Sequence, residues 1–202
     1  MRSSIVRPAV LLLLILTLVT GIAYPLVITG IAQVAFSNAA DGSIITRDGK
    51  PVASRIIGQN FSDPKYFWSR PSATAPQPYN GVASAGSNQG PLNPALIDAV
   101  KQRIAALRAA DPGNTQPVPV DLVTASASGL DPHVSVAGID YQVSRVARVR
   151  HMSAEDIRKL VTQYTERKTF GFLGEPRVNV VQLNLALDAA HVRPADTGSA
   201  SR

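Results

Sequence analysis

An uncharged apolar stretch near the amino terminus places the strongest constraint on how this chain folds. Residues 8–40 contain no Asp, Glu, Lys, Arg or His. About 20 mainly apolar residues are enough for a helix to cross the roughly 30 Å hydrocarbon core of a bilayer. We therefore predict one transmembrane helix over residues 8–36, with a short amino-terminal segment, residues 1–7, on one side of the membrane and the rest of the chain on the other.

The charged residues that flank the apolar stretch predict its orientation. Arg2 and Arg7 precede it, whereas Asp41 and then Arg47 follow it. Basic flanks of a membrane helix tend to stay in the cytoplasm. The short amino-terminal segment is therefore predicted to be cytoplasmic, in a bacterial inner membrane, and the large remainder is predicted to be periplasmic.

A cleaved secretory signal is the alternative interpretation of this stretch. Ser37 and Ala39 are small residues at the spacing of a cleavage site. The apolar part of a secretory signal is only about 7 to 15 residues long, so the length favours an uncleaved anchor. The exported domain then comprises residues 37–191, and residues 192–202 are predicted to form a flexible tail.

One proline and two glycines interrupt the apolar stretch. Pro25 removes a backbone donor and crowds the preceding turn, which predicts a kink. Gly21 and Gly30 are small enough to let another helix approach closely, which predicts a helix-packing site. Because glycine and proline are also common in membrane helices generally, the sequence supports this site and a purely compositional origin equally.

Composition restricts the chemistry of the exported part. The chain has no cysteine, so it has neither disulfides nor thiolate metal sites. His133, His151 and His191 are far apart in the sequence, which argues against a zinc site. The net charge of +6 comes from dispersed basic residues, so we expect the lipid bilayer or an acidic protein surface as partner and no nucleic acid.

Local patterns predict one α/β (α+β) domain after the anchor, since about 160 residues remain and this is the size of a single domain. Asp48-Gly49 separates β-prone runs at residues 42–45 and 52–59, which predicts a hairpin. Residues 118–123 predict another strand. Residues 60–94 are rich in Pro, Gly and Ser but carry five aromatic residues, so we predict an ordered, packed loop that covers the core or contacts a partner.

Capping residues followed by apolar repeats predict four helices. On the second of these, Arg145 and Arg148 are predicted to lie outside the buried stripe, on the exposed surface. The valine-rich start of the last helix would also suit a strand, but its cap and its alanine-rich end favour a helix. The predicted caps are Asn93, Ser135, Ser153 and Asn179.

Motifs for independent catalysis are missing from the sequence. It contains no phosphate-binding loop, no G-x-G-x-x-G and no H-E-x-x-H. Residues 81–86 approach a nucleophile elbow but have one residue too many. A membrane-anchored periplasmic enzyme is therefore the less supported hypothesis, and no catalytic residue is predicted.

Several segments of the sequence together resemble a known family, the KdpC or C subunits of Kdp potassium-transporting ATPases, over almost the whole chain. Ser144 departs from the proline expected in many relatives. The resemblance implies an inner-membrane complex with a channel-like KdpA subunit, a P-type ATPase subunit KdpB and a small KdpF peptide. The segments are YPLVITGIAQVAF, GQNFSDPKYFWSRPSATA, YNGVASAGSNQGPLNP, DLVTASASGLDPHVS, YQVSRVARVR and EPRVNVVQLNLALD.

The resemblance also implies a role, that of a catalytic chaperone that raises the ATP affinity of KdpB and helps to assemble the complex. It implies ATP contact through Ser126, Ser128, Gly129 and Gln142. The chain lacks the D-K-T-G phosphorylation sequence, so it is not the phosphorylated subunit. ATP is cytoplasmic, whereas the charge bias places these residues outside. This conflict motivates the alternative, a structural cap at the outer mouth of the potassium path without nucleotide contact.

Overall fold

The computed structural model describes residues 3–192, with side chains described for residues 5–190. All but the first residue of the predicted tail, residues 192–202, lies outside the described range. The chain divides into two compact units, Met1–Val52 and Ala53–Arg202, and each is considered by itself below.

The first unit begins with a long helical segment. Helix α1, Ser3–Leu18, leads through a π-helical turn, Val19–Ala23, into helix α2, Tyr24–Ala35, and a short helix α3, Ser37–Ala40, follows. Within the described residues, the segment Ile5–Ala35 is the one helix long and apolar enough to span a membrane. The predicted single membrane helix is thus confirmed, and its predicted limits at residues 8 and 36 stay a prediction.

The π-helical turn lies directly before Pro25, where the sequence predicts an irregularity. The N–H of Tyr24 donates to the carbonyl of Val19, five residues back. Proline cannot donate a backbone hydrogen bond and its ring crowds the carbonyl four residues earlier, so a wider turn at this point relieves the conflict. The hydroxyl of Thr20 donates to the carbonyl of Leu16 at 2.7 Å.

A β-hairpin follows the helical segment. Strand β1, Ile44–Arg47, and strand β2, Lys50–Ser54, form a two-stranded sheet. The two residues between them, Asp48 and Gly49, have φ angles of 52° and 74°, as a type I′ turn requires. The hairpin predicted from Asp-Gly is confirmed, although β2 ends at Ser54 and does not continue to residue 59.

The second unit combines a small sheet with four helices, which confirms the predicted α/β (α+β) class. Its antiparallel sheet has the order β3-β5-β4, with His133 opposite Asn179 and Thr165 opposite Val178. Helices α5 and α7 directly follow β3 and β5. The elements are β3 His133–Ser135, β4 Thr165–Glu166, β5 Arg177–Asn179, α4 Pro94–Ala110, α5 Val136–Arg150, α6 Ala154–Gln163 and α7 Val180–Val192.

All four predicted caps begin a helix, and the last segment is a helix rather than a strand. Asn93 accepts from the N–H of Ala95 at 3.0 Å. Ser135 and Ser153 each accept from an N–H three residues later, also at 3.0 Å. Asn179 accepts from the N–H of Gln182 at 3.1 Å. Each side chain thereby satisfies a backbone donor that the helix itself leaves unpaired.

Two predictions about this domain are wrong. Residues 118–123 form no strand, because Val120–Leu122 is a single 3-10 turn that follows Pro119. Proline lacks the N–H that a strand ladder needs, and the turn instead lets Leu122 become buried. Arg145 is not on the surface either, since only 2% of it is exposed.

The core of the domain lies between α5, α6, α7 and the sheet. Phe67, from the long segment of residues 60–94, is completely buried in it, which confirms that this segment is ordered and packed. Burying a side chain of this size stabilises the fold by about 1.5–3 kcal/mol. The completely or almost completely buried core residues also include Val134, Ile139, Val143, Val146, Ile157, Val178, Val180, Leu183 and Leu187.

Candidate functional site

Three of the four residues implied for ATP contact lie together in one tight loop. The hydroxyl of Ser126 accepts from the N–H of Gly129 at 3.2 Å and lies 3.2 Å from the hydroxyl of Ser128. Ser128 in turn accepts from the N–H of Leu130 at 3.1 Å. Ser126 is buried, whereas Ser128 is exposed. The polar groups of this loop are therefore largely bound to one another.

Gly129 is required by the backbone and by its surroundings. Its φ of +68° lies in the left-handed region, and a Cβ atom here would come within 2.5 Å of Thr74 Cγ2 and 2.7 Å of the carbonyl oxygen of Ala85. Its own carbonyl accepts from the hydroxyl of Ser72 at 2.7 Å. Glycine at this position lets two backbone segments approach each other, which is a packing role.

The fourth implied residue, Gln142, lies on α5 and is 1% exposed. Its Oε1 accepts from the N–H of Trp68 at 2.8 Å and from Nη2 of Arg145 at 2.6 Å. Its Nε2 donates to the carbonyl of Trp68 at 3.2 Å and to that of Gly138 at 3.0 Å. These are the two acceptor and two donor positions of a carboxamide, so Gln142 has no hydrogen-bonding capacity left for a ligand.

Asn184 on α7 binds the backbone of Phe67, the residue before Trp68, in the same way. Its Oδ1 accepts from the N–H of Phe67 and its Nδ2 donates to the carbonyl of Phe67, both at 2.9 Å. Asn184, like Gln142, is 1% exposed. Two buried carboxamides thus bind both backbone groups of consecutive residues, one from α5 and one from α7, as strands on the two sides would do in a sheet.

Two arginines of α5 complete the attachment of this segment. Arg145 donates to the carbonyls of Pro64 and Tyr66, and its guanidinium lies 4.9 Å from the centroid of the Trp68 ring. Burial lowers the pKa of Arg145 to about 10, so the side chain is charged at neutral pH. The charge is balanced by oxygen acceptors and by the face of the indole ring.

Arg150 acts on the same segment from the end of α5. Its Nε donates to the carbonyl of Lys65 at 2.7 Å, and its Nη2 pairs with Asp188 of α7 at 2.8 Å. The other oxygen of Asp188 accepts from the hydroxyl of Tyr66 at 2.9 Å. The ion pair joins α5 to α7 and holds the tyrosine between them.

These contacts define a structure that we name the polar clamp, and its members were missed by sequence reasoning except for Gln142. A signal does exist, because Asn184 and Asp188 are four residues apart and so share a face of a helix whose other residues are mainly apolar. Polar side chains on a buried face must find partners. The clamp consists of Gln142, Arg145, Arg150, Asn184 and Asp188, which bind residues 64–68.

The tight loop of residues 126–129, which we name the serine loop, and Gln142 both bind the long segment of residues 60–94. The N–H of Ser126 donates to the carbonyl of Pro71 at 2.9 Å, three residues after the Trp68 that Gln142 binds. Both predicted sites therefore hold one stretch of chain from two directions. In the part of the chain that the structure describes, they form no common ligand pocket.

One open cavity does adjoin the serine loop. It has a volume of about 340 Å³ and is lined by Arg70, Ser126, Ser128 and Asp131, among others. The guanidinium of Arg70 lies 3.4 Å from Asp131 and 3.4 Å from the carbonyl of Ala125. Burial raises the pKa of Asp131, but hydrogen bonds from His133 and the charge of Arg70 outweigh this and hold it below its usual range. A carboxylate that stays ionised here opposes the binding of phosphate groups.

As a set, the four residues do not fit ATP. Gln142 is saturated with protein contacts, Ser126 and Gly129 are buried, and Ser128 alone is exposed. Their contacts explain them instead as parts of a rigid domain.

Comparison with known proteins identifies the family. The family model described as KdpC, K+-transporting ATPase, c chain, matches residues 6–189. The chain belongs to the KdpC family. The match spans both the long apolar helix and the domain with the polar clamp, so KdpC membership covers both compact units.

Individual KdpC proteins are closely similar along nearly the whole chain. The potassium-transporting ATPase KdpC subunit of Dechloromonas aromatica is 64% identical over 186 residues, which are 92% of this chain and 97% of the relative. The KdpC subunit of Polaromonas naphthalenivorans is 66% identical over 186 residues, 92% of this chain and 95% of the relative. That of Methylococcus capsulatus is 62% identical over 183 residues, 91% and 96% respectively.

Proposed function

We propose that this chain is a single-pass accessory subunit of a high-affinity, ATP-driven potassium uptake complex. Its exported domain acts as a structural cap that binds KdpA and KdpB and stabilises their assembly, with KdpF as a further neighbour, and it does not contact nucleotide. The observation that carries this proposal is the saturation of Gln142, which uses all its hydrogen-bonding positions to hold the Trp68 backbone, Arg145 and Gly138.

A rigid cap is what the polar clamp provides. Surfaces that recognise another protein bind more tightly when they are already ordered, because less conformational entropy is lost on association. Tyr66 and Trp68 are partly exposed aromatic residues on a segment without regular secondary structure, and the clamp fixes this segment from α5 and α7. Tyr66 and Trp68 can therefore contact a partner without the segment having to become ordered first.

The orientation predicted for the membrane helix supports the same role. Arg2 and Arg7 lie before the apolar run and Asp41 lies after it, so the positive-inside rule directs the domain outward. An outward domain is separated from cytoplasmic ATP by the bilayer. It can still stabilise the outer entrance of a potassium path.

Cysteine labelling in spheroplasts tests this orientation. The chain has no cysteine, so Ser128→Cys and, at a second site, Val82→Cys each introduce one thiol into this chain at an exposed position. Both are expected to react with a membrane-impermeant maleimide in spheroplasts without permeabilisation. Labelling that requires permeabilised membranes would contradict an outward domain and would leave direct ATP contact open.

A nucleotide-contacting chaperone is the second candidate, and one observation favours it. Arg70 and the exposed Ser128 share the cavity of about 340 Å³, and an arginine beside hydroxyl groups is suited to phosphate. The variant Ser128→Ala removes the exposed hydroxyl with little effect on the core. For a structural cap, we expect an unchanged KM for ATP in the assembled ATPase, whereas a several-fold rise with normal assembly would support the chaperone.

A further inference from the structure

The connection between β4 and β5 ends in an exposed apolar turn, residues 169–173, which we name the aromatic tip. Thr169 and Leu173 exchange two backbone hydrogen bonds, each 2.9 Å long. They thereby close a loop of three residues, Phe170, Gly171 and Phe172. The tip is a defined turn with its own hydrogen bonds.

The stem below the aromatic tip is held by ion pairs. Lys168 pairs with Glu175 at 3.2 Å, and Arg177 pairs with Glu166 at 2.9 Å. Each pair joins the two sides of the hairpin. The tip is therefore apolar above a stem whose charges are mostly compensated.

The aromatic tip is costly for the isolated domain in two ways. Phe170 has a φ of +54°, in the left-handed region that a bulky residue rarely adopts. Phe170 is also 84% exposed, Phe172 is 73% exposed and Leu173 is 51% exposed. Because both rings are mostly exposed, packing within the domain offsets little of this cost. The tip therefore has the properties of a surface that a partner covers.

We propose that the aromatic tip inserts into an apolar cleft on another subunit of the same ATPase complex. This inference rests on the proposed function, because it gives the accessory domain its contact point. Aromatic side chains held on a rigid element are effective anchors, since they bury large area at a low cost in conformational entropy. A knob of this kind suffices where the membrane helix already keeps the partners together.

Charge argues against a bilayer surface as the binding partner of the tip, and size argues against a second copy of this chain. An anionic bilayer surface is recognised by clustered cations, but Lys168 and Arg177 are paired with glutamates and leave Arg167 as the nearby cation without an ion pair among the described residues. A stable dimer with a second copy needs about 800 Å² on each partner. Two phenylalanines and one leucine supply only a fraction of that area.

Site-specific photocrosslinking identifies the occupant directly. p-Benzoylphenylalanine is incorporated at Phe170 in the full chain, which is coexpressed with the other subunits, and Val82 is the control because its exposed position lies outside the tip. Irradiation is expected to join position 170 to another subunit of the complex and to give at least about tenfold less of that product from position 82. A product with lipid alone, with a second copy alone, or no product that differs from the control would overturn the proposal.

A double variant measures what the contact contributes. Phe170→Asn with Phe172→Ser removes both rings, and asparagine tolerates the left-handed backbone. We expect about a tenfold loss in the amount of partner subunit recovered with the chain in detergent, and none for the control Val82→Ser. Unchanged recovery would overturn the role of the tip. It would leave the cap proposal standing if removal of the whole domain still reduced assembly.

Discussion

Gln142 shows how one side chain can organise a segment that has no secondary structure of its own. It replaces, for Trp68, the hydrogen bonds that a neighbouring strand would supply. The same carboxamide also accepts from the buried Arg145. Because all these groups are desolvated, the loss of one member leaves several donors and acceptors unpaired at once.

Replacement of Gln142 by leucine is therefore expected to destabilise the domain by about 2–4 kcal/mol. Trp68 is the one tryptophan of the chain, so its fluorescence during urea unfolding of the full chain in detergent reports on this segment. Gln163→Leu, at an exposed position near the end of α6, is the control and should change the unfolding midpoint little. Equal midpoints for the two variants would show that the clamp does not stabilise the domain.

Gly129 is predicted to be irreplaceable for steric rather than chemical reasons. Gly129→Ala adds a Cβ at a φ of +68° and 2.5 Å from Thr74 Cγ2, which we expect to cost about 2–4 kcal/mol of stability. Gly113→Ala is the control, since nothing lies within 4 Å of a Cβ at that position. Unfolding of both variants is compared in urea. A stable Gly129→Ala protein would refute the packing role of the serine loop.

Asp131 is expected to make the stability of the domain depend on pH in the acidic range. Burial raises its pKa, yet the hydrogen bonds from His133 and the charge of Arg70 leave it below the usual value. A carboxylate with a depressed pKa in the folded state stabilises the fold above the ordinary Asp pKa of about 3.9, and this contribution is lost as the pH falls through the folded pKa. Asp131→Asn should thus be less stable than the parent chain at pH 7, and this difference should shrink towards pH 3. A constant difference over this range would contradict the assignment.

At the scale of elements, the local signals in the sequence were strong wherever they concerned helix starts and tight turns. The caps at Asn93, Ser135, Ser153 and Asn179, and the Asp48-Gly49 turn, depend on neighbouring residues alone. The short strands β3 to β5 depend on pairing between distant segments. They have only two or three residues each, which is too short for an alternating apolar pattern to predict them.

The burial of Arg145 was not predictable from helix periodicity for a related reason. Its partners are backbone carbonyls of residues 64 and 66, about 80 residues earlier in the chain. A segment without regular structure exposes such carbonyls, and a long cationic side chain can reach them. The burial of the Arg145 charge thus depends on the path of residues 60–94, which the sequence does not predict.

The membrane helix carries a prediction of its own. Gly21 lies within the π-helical turn and Gly30 within α2, and the side chains of this helix are exposed within the chain itself. If another helix packs against the glycines, Gly21→Leu should reduce the recovery of partner subunits several-fold, because bulk prevents close approach. Leu13→Phe on α1 is the control for added volume. Equal recovery for both variants would indicate that the glycines reflect composition only.

At the scale of the whole molecule, the sequence predicted an anchor followed by one α/β domain, whereas the implied ATP contact stays a prediction. An apolar run of sufficient length determines the anchor by itself, and matching segments along the chain identified the family. The residues implied for ATP contact came with that resemblance. Only the three-dimensional contacts of Gln142 and Ser126 reveal that these side chains are already occupied.

Separation of the two compact units tests the cap as a whole. A chain truncated after Val52 retains the membrane helix and lacks the domain that begins at Ala53. Two linked contacts bind far more tightly than one, since the second forms within an already joined complex. If the domain is a second contact, the truncated chain should insert normally but retain at least about tenfold less KdpA and KdpB on purification.

The same truncation distinguishes the proposed roles when transport is measured. Loss of a cap at the outer entrance should weaken the apparent potassium affinity of the remaining complex and leave its KM for ATP unchanged. Loss of a chaperone should raise the KM for ATP instead. The control is the full chain carrying Val82→Ser, which alters an exposed residue of the domain and should behave as the parent. Normal recovery with normal affinities for potassium and ATP would refute the accessory role of the domain, and the membrane helix would then be the functional part of the chain.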